Sequence, residues 1–336
     1  MQIFAIFAER FIFIKMKTTR FLTLAAALLL LCSCGSRTQK AAEVQTRSFP
    51  TVQAPSLYDG DEERVAWFQM HYWDNFLSTK EIWPSVDSTV VNGVPVDKFE
   101  EAFASFVYLT EMTDVKDGQK AIDNLFTRTE AYQKADTAST VFAKMAEVAE
   151  KYYYDPNSPY RNEDLYLSYV KRLAASDLTP DSRRRSLEFD IRLCSLNPIG
   201  SPAADFRFTD IKGRSSRLYD IKAEHTLLFF SNPGCEACKE IIESLNASEK
   251  VAQLLAEGKL AVVNIYIDED LDAWRSYQDF YPDSWHNGYD QDYKVRNDLL
   301  YSVRAIPSLY MLDSDKRVLM KDATPENIFA FIDNLD

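Results

Sequence analysis

Cysteine and histidine are both scarce in this sequence, and their scarcity excludes several classes of protein. Of 336 residues, five are cysteine and three are histidine. So few cysteines cannot staple a small disulfide-rich fold, and the structure must rest on apolar cores. The three histidines, His71, His225 and His286, lack the spacing of zinc ligands. We therefore expect neither a metal nor a cofactor.

Positive charge is in short supply as well. Lysine and arginine number 38 against 51 acidic residues, which gives a formal net charge of -13. A chain of this net charge is not expected to have a basic surface that binds phosphates, so we do not expect nucleic acid as a partner. The length leaves room for two domains of ordinary size, and 46% hydrophobic residues suffice for their cores.

The amino terminus has the pattern of an export signal. Met16–Arg20 is a short basic segment, and Phe21–Leu31 is an apolar run too short to anchor a chain stably across a bilayer. It ends in Leu31-Cys32-Ser33-Cys34, which resembles the bacterial lipobox. The resemblance implies that residues 1–33 are a signal peptide and that Cys34 is lipidated. Glu9 and Arg10 interrupt an earlier apolar stretch that does not fit this pattern, so we expect translation to start at Met16. A plain secretory signal with incidental cysteines is the alternative.

Two regions of different pattern follow a polar stretch, residues 34–56, that we interpret as a lipid-anchored linker. Residues 57–197 carry apolar side chains at helical spacing, as in Phe68, Tyr72 and Phe76, and predict a bundle of five or six helices. Thr179-Pro180 is expected to cap and open the last of them. Cys194 falls on the apolar face of that helix and is expected to be buried.

Residues 198–336 alternate strand and helix patterns and end in a hairpin and a helix, which predicts an α/β sandwich. Tyr281 to Tyr293 are expected to be irregular, and His286 in this stretch either lines the active site or lies in a surface loop. The predicted strands are 206–209, 217–219, 227–230, 260–267, 308–312 and 318–321. The predicted helices are one from Cys238 onward, one over 271–281, one over 295–303 and a last one opened by Thr324-Pro325.

The most informative segment is Cys235-Glu236-Ala237-Cys238. It stands between a continuously apolar run, Leu227–Phe230, and a helix whose apolar face begins at Ile241. Cys235 is thus expected at a helix start, where unpaired N–H groups and the helix dipole favour a thiolate. A thiolate is the nucleophile of disulfide exchange, and a second thiol three residues later can resolve the mixed disulfide.

The order of elements, with Ala305-Ile306-Pro307-Ser308 before the hairpin, is similar to the thioredoxin fold. Gly200–Phe206 resembles the entry motif of TlpA/ResA-type thiol-disulfide oxidoreductases, and this similarity covers residues 199–336. The helical part, with its turn Asp155–Tyr160, looks like the amino-terminal domain of Bacteroides-type lipoproteins. The resemblance implies an α-helical bundle domain followed by an α/β thioredoxin-like domain with three α/β/α layers.

The resemblance also implies roles for individual residues. Cys235 would be the attacking cysteine, Cys238 the resolving cysteine, and Pro307 a cis-proline that faces them. A cis-proline bends the backbone so that Ile306 offers its N–H and C=O to an extended substrate.

Two positions depart from the pattern of the family. Gly234 replaces the usual aromatic residue before the first cysteine, and Phe229 replaces a buried acid that serves the resolving thiol. Glu236 and Glu240 are candidates for the missing proton transfer. A carboxylate at Glu236 would oppose a thiolate at Cys235 and so favour a reducing pair.

The sequence thus predicts a membrane-anchored, extracytoplasmic thiol-disulfide oxidoreductase of the cell envelope, facing the periplasm. Its expected partners are disulfide-containing exported proteins, a thiol electron donor in the membrane, and the membrane itself through the lipid anchor. The alternative is an envelope scaffold in which the helical domain binds a partner and the thioredoxin module is a platform. The helical domain is expected to be separable and to recognise partners.

Overall fold

The computed structural model describes residues 44–86 and 89–336. The predicted signal peptide, the start at Met16 and the lipidation of Cys34 lie outside these residues. Val44–Asp336 form one compact unit. Within the described ranges, no helix combines the length and the apolar character needed to cross a membrane.

Part of the predicted linker is packed against the protein. The N–H of Arg47 donates to the carbonyl of Gly93 at 2.7 Å. The ring of Phe49 stacks on Tyr72 and Phe76, with centroids 5.7 and 5.4 Å away. A backbone hydrogen bond at Arg47 and ring stacking at Phe49 therefore hold this part of the chain against the helical region, which corrects the expectation of a linker over the whole of 34–56.

In the described residues before 198, six helices make up most of the structure, and the sequence predicted five or six. The apolar side chains that recur at helical spacing, such as Phe99, Phe103 and Ile122, face a single core. The helices are α1 (Asp61–His71), α2 (Val96–Glu111), α3 (Val115–Ala135), α4 (Val141–Tyr153), α5 (Glu163–Ala175) and α6 (Asp181–Cys194).

A short hairpin interrupts the helices and corrects the all-helical prediction for this region. Strands β1 (Val90–Val91) and β2 (Val94–Pro95) pair around Asn92 and Gly93, which both have positive φ, 49° and 73°. An Asn-Gly pair between apolar residues is a strong hairpin signal, because both residues tolerate this conformation. The sequence therefore carried the signal for this turn.

Helix α6 begins one residue later than predicted. Its N-cap is Pro180, because the hydroxyl of Thr179 donates to the carbonyl of Leu173 at 2.5 Å instead of capping the helix.

A seven-stranded sheet forms the centre of the carboxy-terminal region. Its order is β4-β3-β7-β6-β5-β8-β9, with β5 parallel to β6 and antiparallel to β8. The strands are β3 (Arg207–Thr209), β4 (Ser215–Arg217), β5 (His225–Phe230), β6 (Leu260–Tyr266), β7 (His286–Tyr289), β8 (Ser308–Leu312) and β9 (Val318–Met320). The central strands are buried on both faces, as their continuous apolar runs predicted.

Five helices accompany this sheet, and the predicted α/β fold is confirmed. One face packs against α7, α8, α9 and α11, whereas α10, a 3₁₀ turn at Leu218–Asp220 and irregular segments cover the other. The helices are α7 (Glu236–Ala247), α8 (Glu249–Ala256), α9 (Leu271–Ser276), α10 (Lys294–Asn297) and α11 (Pro325–Asp333). Thr324 caps α11 as predicted, accepting the N–H of Asn327.

Several element boundaries differ from the predictions. The helix expected over 295–303 lasts one turn, because Leu299 has φ 50° and cannot continue it. The helix expected to reach residue 281 ends at Ser276, and the strand expected at 217–219 lies at 215–217. The stretch 281–293, expected to be irregular, contains β7.

Candidate active site

The sheet register brings the two cysteines and the proline to the same edge. Phe230, the last residue of β5, pairs with Ser308, the first residue of β8. The chain leaving β5 reaches Cys235 within one turn, and Pro307 immediately precedes β8. The Sγ of Cys235 lies 3.9 Å from the carbonyl oxygen of Ile306. The Ile306–Pro307 peptide bond is cis, which confirms that prediction.

The two cysteines differ in exposure. Cys235 is the N-cap of α7, its Sγ accepts the N–H of Cys238 at 3.2 Å, and the two residues form a disulfide with Cα atoms 5.2 Å apart. Cys235 is half-buried, whereas Cys238 is 1% exposed and faces the core. Only Cys235 therefore offers its sulfur to an incoming group, at a helix end that stabilises negative charge.

The structure shows what the two departures do. Gly234 has φ 75°, and a Cβ there would meet nothing within 4 Å, so the glycine serves the backbone turn rather than a close contact. Phe229 is fully buried in the same apolar cluster as Cys238. The Cys238 sulfur therefore has hydrocarbon where the family pattern has an acid.

The two candidate proton-transfer residues lie on the solvent side of α7. Glu236 and Glu240 are both exposed, and the carboxylate of Glu236 is 3.9 Å from the ammonium of Lys239. Pairs this exposed contribute little energy. Cys238 faces the opposite way, and the proton-transfer roles of both glutamates stay predictions.

The remaining singled-out residues lie away from the cysteines. His286 is exposed at the start of β7, where it pairs with Val263 of β6. His71 is half-buried and stacks on Trp67 with centroids 4.5 Å apart, as expected for a packed helix residue. Cys194 is fully buried, as predicted, and burial raises the pKa of its thiol.

A buried group of charges behind Pro307 was missed by the sequence reasoning. The guanidinium of Arg304 donates to Glu163 of α5 at 2.8 Å and to Asp322 at 3.1 Å. Asp322 also accepts the hydroxyl of Ser308 at 2.9 Å, and Lys321 lies 3.0 Å from the other oxygen of Glu163. No local pattern announces these residues, because Glu163 and Arg304 are 141 positions apart.

Burial sets the protonation behaviour of this group. It raises the pKa of Asp322 to about 6, against the opposing effect of the Arg161 guanidinium. Burial lowers the pKa of Arg304, but the carboxylates of Glu163 and Asp322 outweigh it, and the net pKa is raised. In residues 44–86 and 89–336, no group of three or more histidine, cysteine, aspartate or glutamate side chains is arranged to hold a metal.

Comparisons with known proteins agree with this fold. A family model described as a domain of unknown function (DUF5106) matches residues 33–195. The crystal structure of a thioredoxin-like protein from Bacteroides caccae ATCC 43185 is 33% identical, with a TM-score of 0.76 over 86% of this chain and 99% of that chain.

Two further relatives each match 41% of this chain. The thiol-disulfide oxidoreductase ResA of Bacillus cereus is 23% identical over 140 residues, which are 41% of this chain and 78% of the relative. The C-terminal domain of an uncharacterized protein from Bacteroides fragilis NCTC 9343 is 43% identical over 41% of this chain and 99% of that chain, with a TM-score of 0.40.

The chain belongs to the thioredoxin-like protein family. The predicted resemblance to TlpA/ResA-type proteins is confirmed, and so is the class of enzyme, thiol-disulfide oxidoreductase. The similarity to the Bacteroides caccae protein continues through the helical amino-terminal region, since it covers far more of the chain than the thioredoxin-like part.

Proposed function

We propose that this protein is a membrane-anchored, periplasm-facing oxidoreductase that reduces or exchanges disulfides in exported proteins through Cys235 and Cys238. The observation that carries the proposal is the geometry of Cys235: a half-exposed sulfur at the start of α7, 3.9 Å from the Ile306 carbonyl, with Cys238 buried behind it. The lipobox-like Cys34 supports the anchor. The comparisons do not favour the scaffold alternative.

The reaction transfers two electrons to the substrate. The Cys235 thiolate attacks one sulfur of the substrate disulfide, forms a mixed disulfide and releases the first substrate thiolate. The Cys238 thiolate then attacks the Sγ of Cys235, releases the second substrate thiolate and leaves the Cys235–Cys238 disulfide. Protons from solvent complete the substrate thiols, and a dithiol donor at the membrane returns the pair to the reduced state.

An extended substrate segment is expected to bind along Ile306. Its backbone would pair with the N–H and C=O of this residue, next to Pro307 and the Cys235 sulfur. Residues 34–46 would serve as the linker to the membrane, and residues 57–197 and 198–336 as the helical and thioredoxin-like domains.

The pair is expected to be reducing or isomerase-like rather than strongly oxidising. A strongly oxidising pair owes its potential to a much-stabilised thiolate. Here the start of α7 favours the thiolate by about 0.3–1 kcal/mol, and the neighbouring Glu236 opposes it. Phe229 offers Cys238 no proton acceptor.

Two measurements on residues 44–336, which form one compact unit, test the proposal. Insulin reduction driven by dithiothreitol should be accelerated, and mutation of Cys235 should abolish the acceleration. Equilibration with glutathione buffers should give a potential well below that of the strongly oxidising periplasmic enzymes, which is about -120 mV. A potential near that value would show that the pair oxidises its substrates instead of reducing them. Failure to reduce any disulfide would contradict the proposed enzyme activity.

A further inference from the structure

The segment Arg304–Ser308, which carries Ile306 and Pro307, is fastened at both ends by buried polar contacts. At its start, the Arg304 guanidinium donates to the carboxylate of Glu163 and to the carbonyl of Tyr154, and it lies 4.1 Å from the centroid of the Tyr154 ring. At its end, the hydroxyl of Ser308 donates to Asp322 at 2.9 Å. The first fastening reaches directly into the helical region.

The second fastening also leads to the helical region. Arg161 donates to the carbonyl of Asp322 at 2.9 Å and to that of Ala323 at 2.8 Å, which fixes the backbone that presents the Asp322 carboxylate. Arg161 and Glu163 flank Asn162, whose side chain caps α5 by accepting the N–H of Leu165 at 3.1 Å. Arg161, in the turn before α5, and Glu163, the first residue of α5, therefore hold the two ends of the segment.

These contacts are buried enough to favour a single arrangement. The side chains of Glu163 and Lys321 are each 1% exposed, and that of Arg304 is 11% exposed. Removing one member of such a group leaves a buried charge without its partner, which is strongly destabilising. An exposed pair such as Arg183–Glu150 contributes little to stability. The segment cannot move away from the helical region without breaking several of these bonds together.

We propose that Glu163 and Arg161 are positioning residues for the substrate-binding backbone at Ile306, so that the helical region acts in substrate binding through the segment Arg304–Ser308. This inference rests on the proposed function, because it assigns the helical region a part in the same reaction. It predicts an effect on extended protein substrates, which need the Ile306 backbone, and little effect on small disulfides, which need only the Cys235 sulfur.

The test compares Glu163→Gln with Glu150→Gln in the full chain. Glu150 belongs to the exposed pair with Arg183 and is the matched control. For Glu163→Gln we expect at least a fivefold rise in KM for insulin, with kcat and the rate on 2-hydroxyethyl disulfide within twofold of wild type. For Glu150→Gln all three values should stay within twofold. If Glu163→Gln does not fold, Arg161→Lys, which keeps the charge but loses the forked contact, takes its place.

A second measurement does not depend on activity. Hydrogen exchange of peptides covering 303–309 should become at least fivefold faster in the Glu163→Gln or Arg161→Lys variant, by a larger factor than in peptides from β6, which report the loss of global stability. Unchanged exchange at 303–309 with an unchanged KM would overturn the inference, and so would equal acceleration in every peptide. If wild type reduces neither substrate, the proposed function fails, and the exchange result alone decides whether the helical region positions the segment.

Discussion

At the scale of single residues, the active-site cysteines are distinguished by access rather than by chemistry. The Cys235 sulfur can be approached from solvent, and the Cys238 sulfur is covered by α7 and the apolar cluster that includes Phe229. We therefore expect each thiol to have one role in exchange, attack for the exposed residue and resolution for the buried one.

Substitution of each cysteine should reveal these roles. Cys235→Ser should abolish insulin reduction, whereas Cys238→Ser should accumulate a mixed disulfide with the substrate, because the attack proceeds and the resolution does not. Non-reducing gels and mass spectrometry detect the trapped species at Cys235. Cys194→Ala, in a buried residue away from the site, is the control and should turn over within twofold of wild type. If Cys235→Ser instead trapped a complex with the substrate, Cys238 would be the attacking cysteine and Cys235 the resolving one.

The pH dependence of stability should carry the signature of Asp322. Its pKa is raised by burial to about 6, beside Arg161, Glu163 and Arg304, so the folded state favours the protonated acid. The stabilisation is fully present below about pH 4 and is lost as pH rises through 6, a change of about 3 kcal/mol for the shift in pKa. Urea unfolding should therefore show the stability of wild type minus that of Asp322→Asn falling between pH 4 and pH 7. A difference that rises with pH contradicts the sign.

At the scale of elements, the sequence predicted those strands and helices whose signal is local. The apolar runs of β5 and β6 and the Thr-Pro start of α11 act within a few residues, and the structure has them where expected. Strand β7 was missed because His286–Tyr289 show no alternation of apolar and polar residues. It exists because β6 and β3 flank it, and Asn264 and Asn287 bond across β6 and β7 at 3.1 Å.

Gly288 is the position at which β7 depends on glycine. A Cβ there would lie 2.6 Å from the Phe208 ring and 3.1 Å from the Thr209 carbonyl oxygen, so the neighbouring strand would have to shift. Gly288→Ala should destabilise the protein by about 1–3 kcal/mol, as overpacking of a core does. Gly60→Ala, where the nearest atoms are 3.8 Å away, is the control; it should cost about 1 kcal/mol or less, which is the cost of replacing glycine at the N-cap of α1. Equal losses in the free energy of unfolding for the two substitutions, measured by urea titration, would show that β7 can shift to accommodate a Cβ at residue 288.

At the scale of the whole molecule, the two regions are joined more intimately than the sequence suggests. Composition and motifs favour two separable domains, with a boundary near residue 197. The buried contacts of Glu163 with Ser302, Arg304 and Lys321 cross that boundary. Truncation at residue 199 would leave these three side chains without their carboxylate, so the regions are not independent parts.

We therefore expect the chain to unfold as one cooperative unit. Peptides from α3 and from β6 should lose protection against hydrogen exchange at the same urea concentration. Glu163→Ala should lower that shared midpoint, at a cost of about 3–5 kcal/mol for breaking a buried ion pair. The matched Glu150→Ala should cost about 0–1 kcal/mol. Separate midpoints for α3 and β6 would contradict the expectation.

The candidate site could be predicted only in part, for a reason of distance along the chain. Cys235, Cys238 and Pro307 belong to short motifs whose residues act on their immediate neighbours. Glu163 and Asp322 act through residues that the fold alone brings together, and an isolated glutamate at a helix start is indistinguishable from an ordinary surface residue. The buried charges can therefore be recognised only in three dimensions.

The burial of Cys194 has a consequence for electron stoichiometry. In the part of the chain that the structure describes, the cysteines are this residue and the active-site pair, and Cys194 is sealed in the helical core with its pKa raised by burial. A protein with a third accessible thiol could pass oxidising equivalents along an internal relay. On the proposed function, the cysteines of the described residues therefore deliver one pair of electrons per reduced molecule, and an external dithiol must reduce them again before the next turnover.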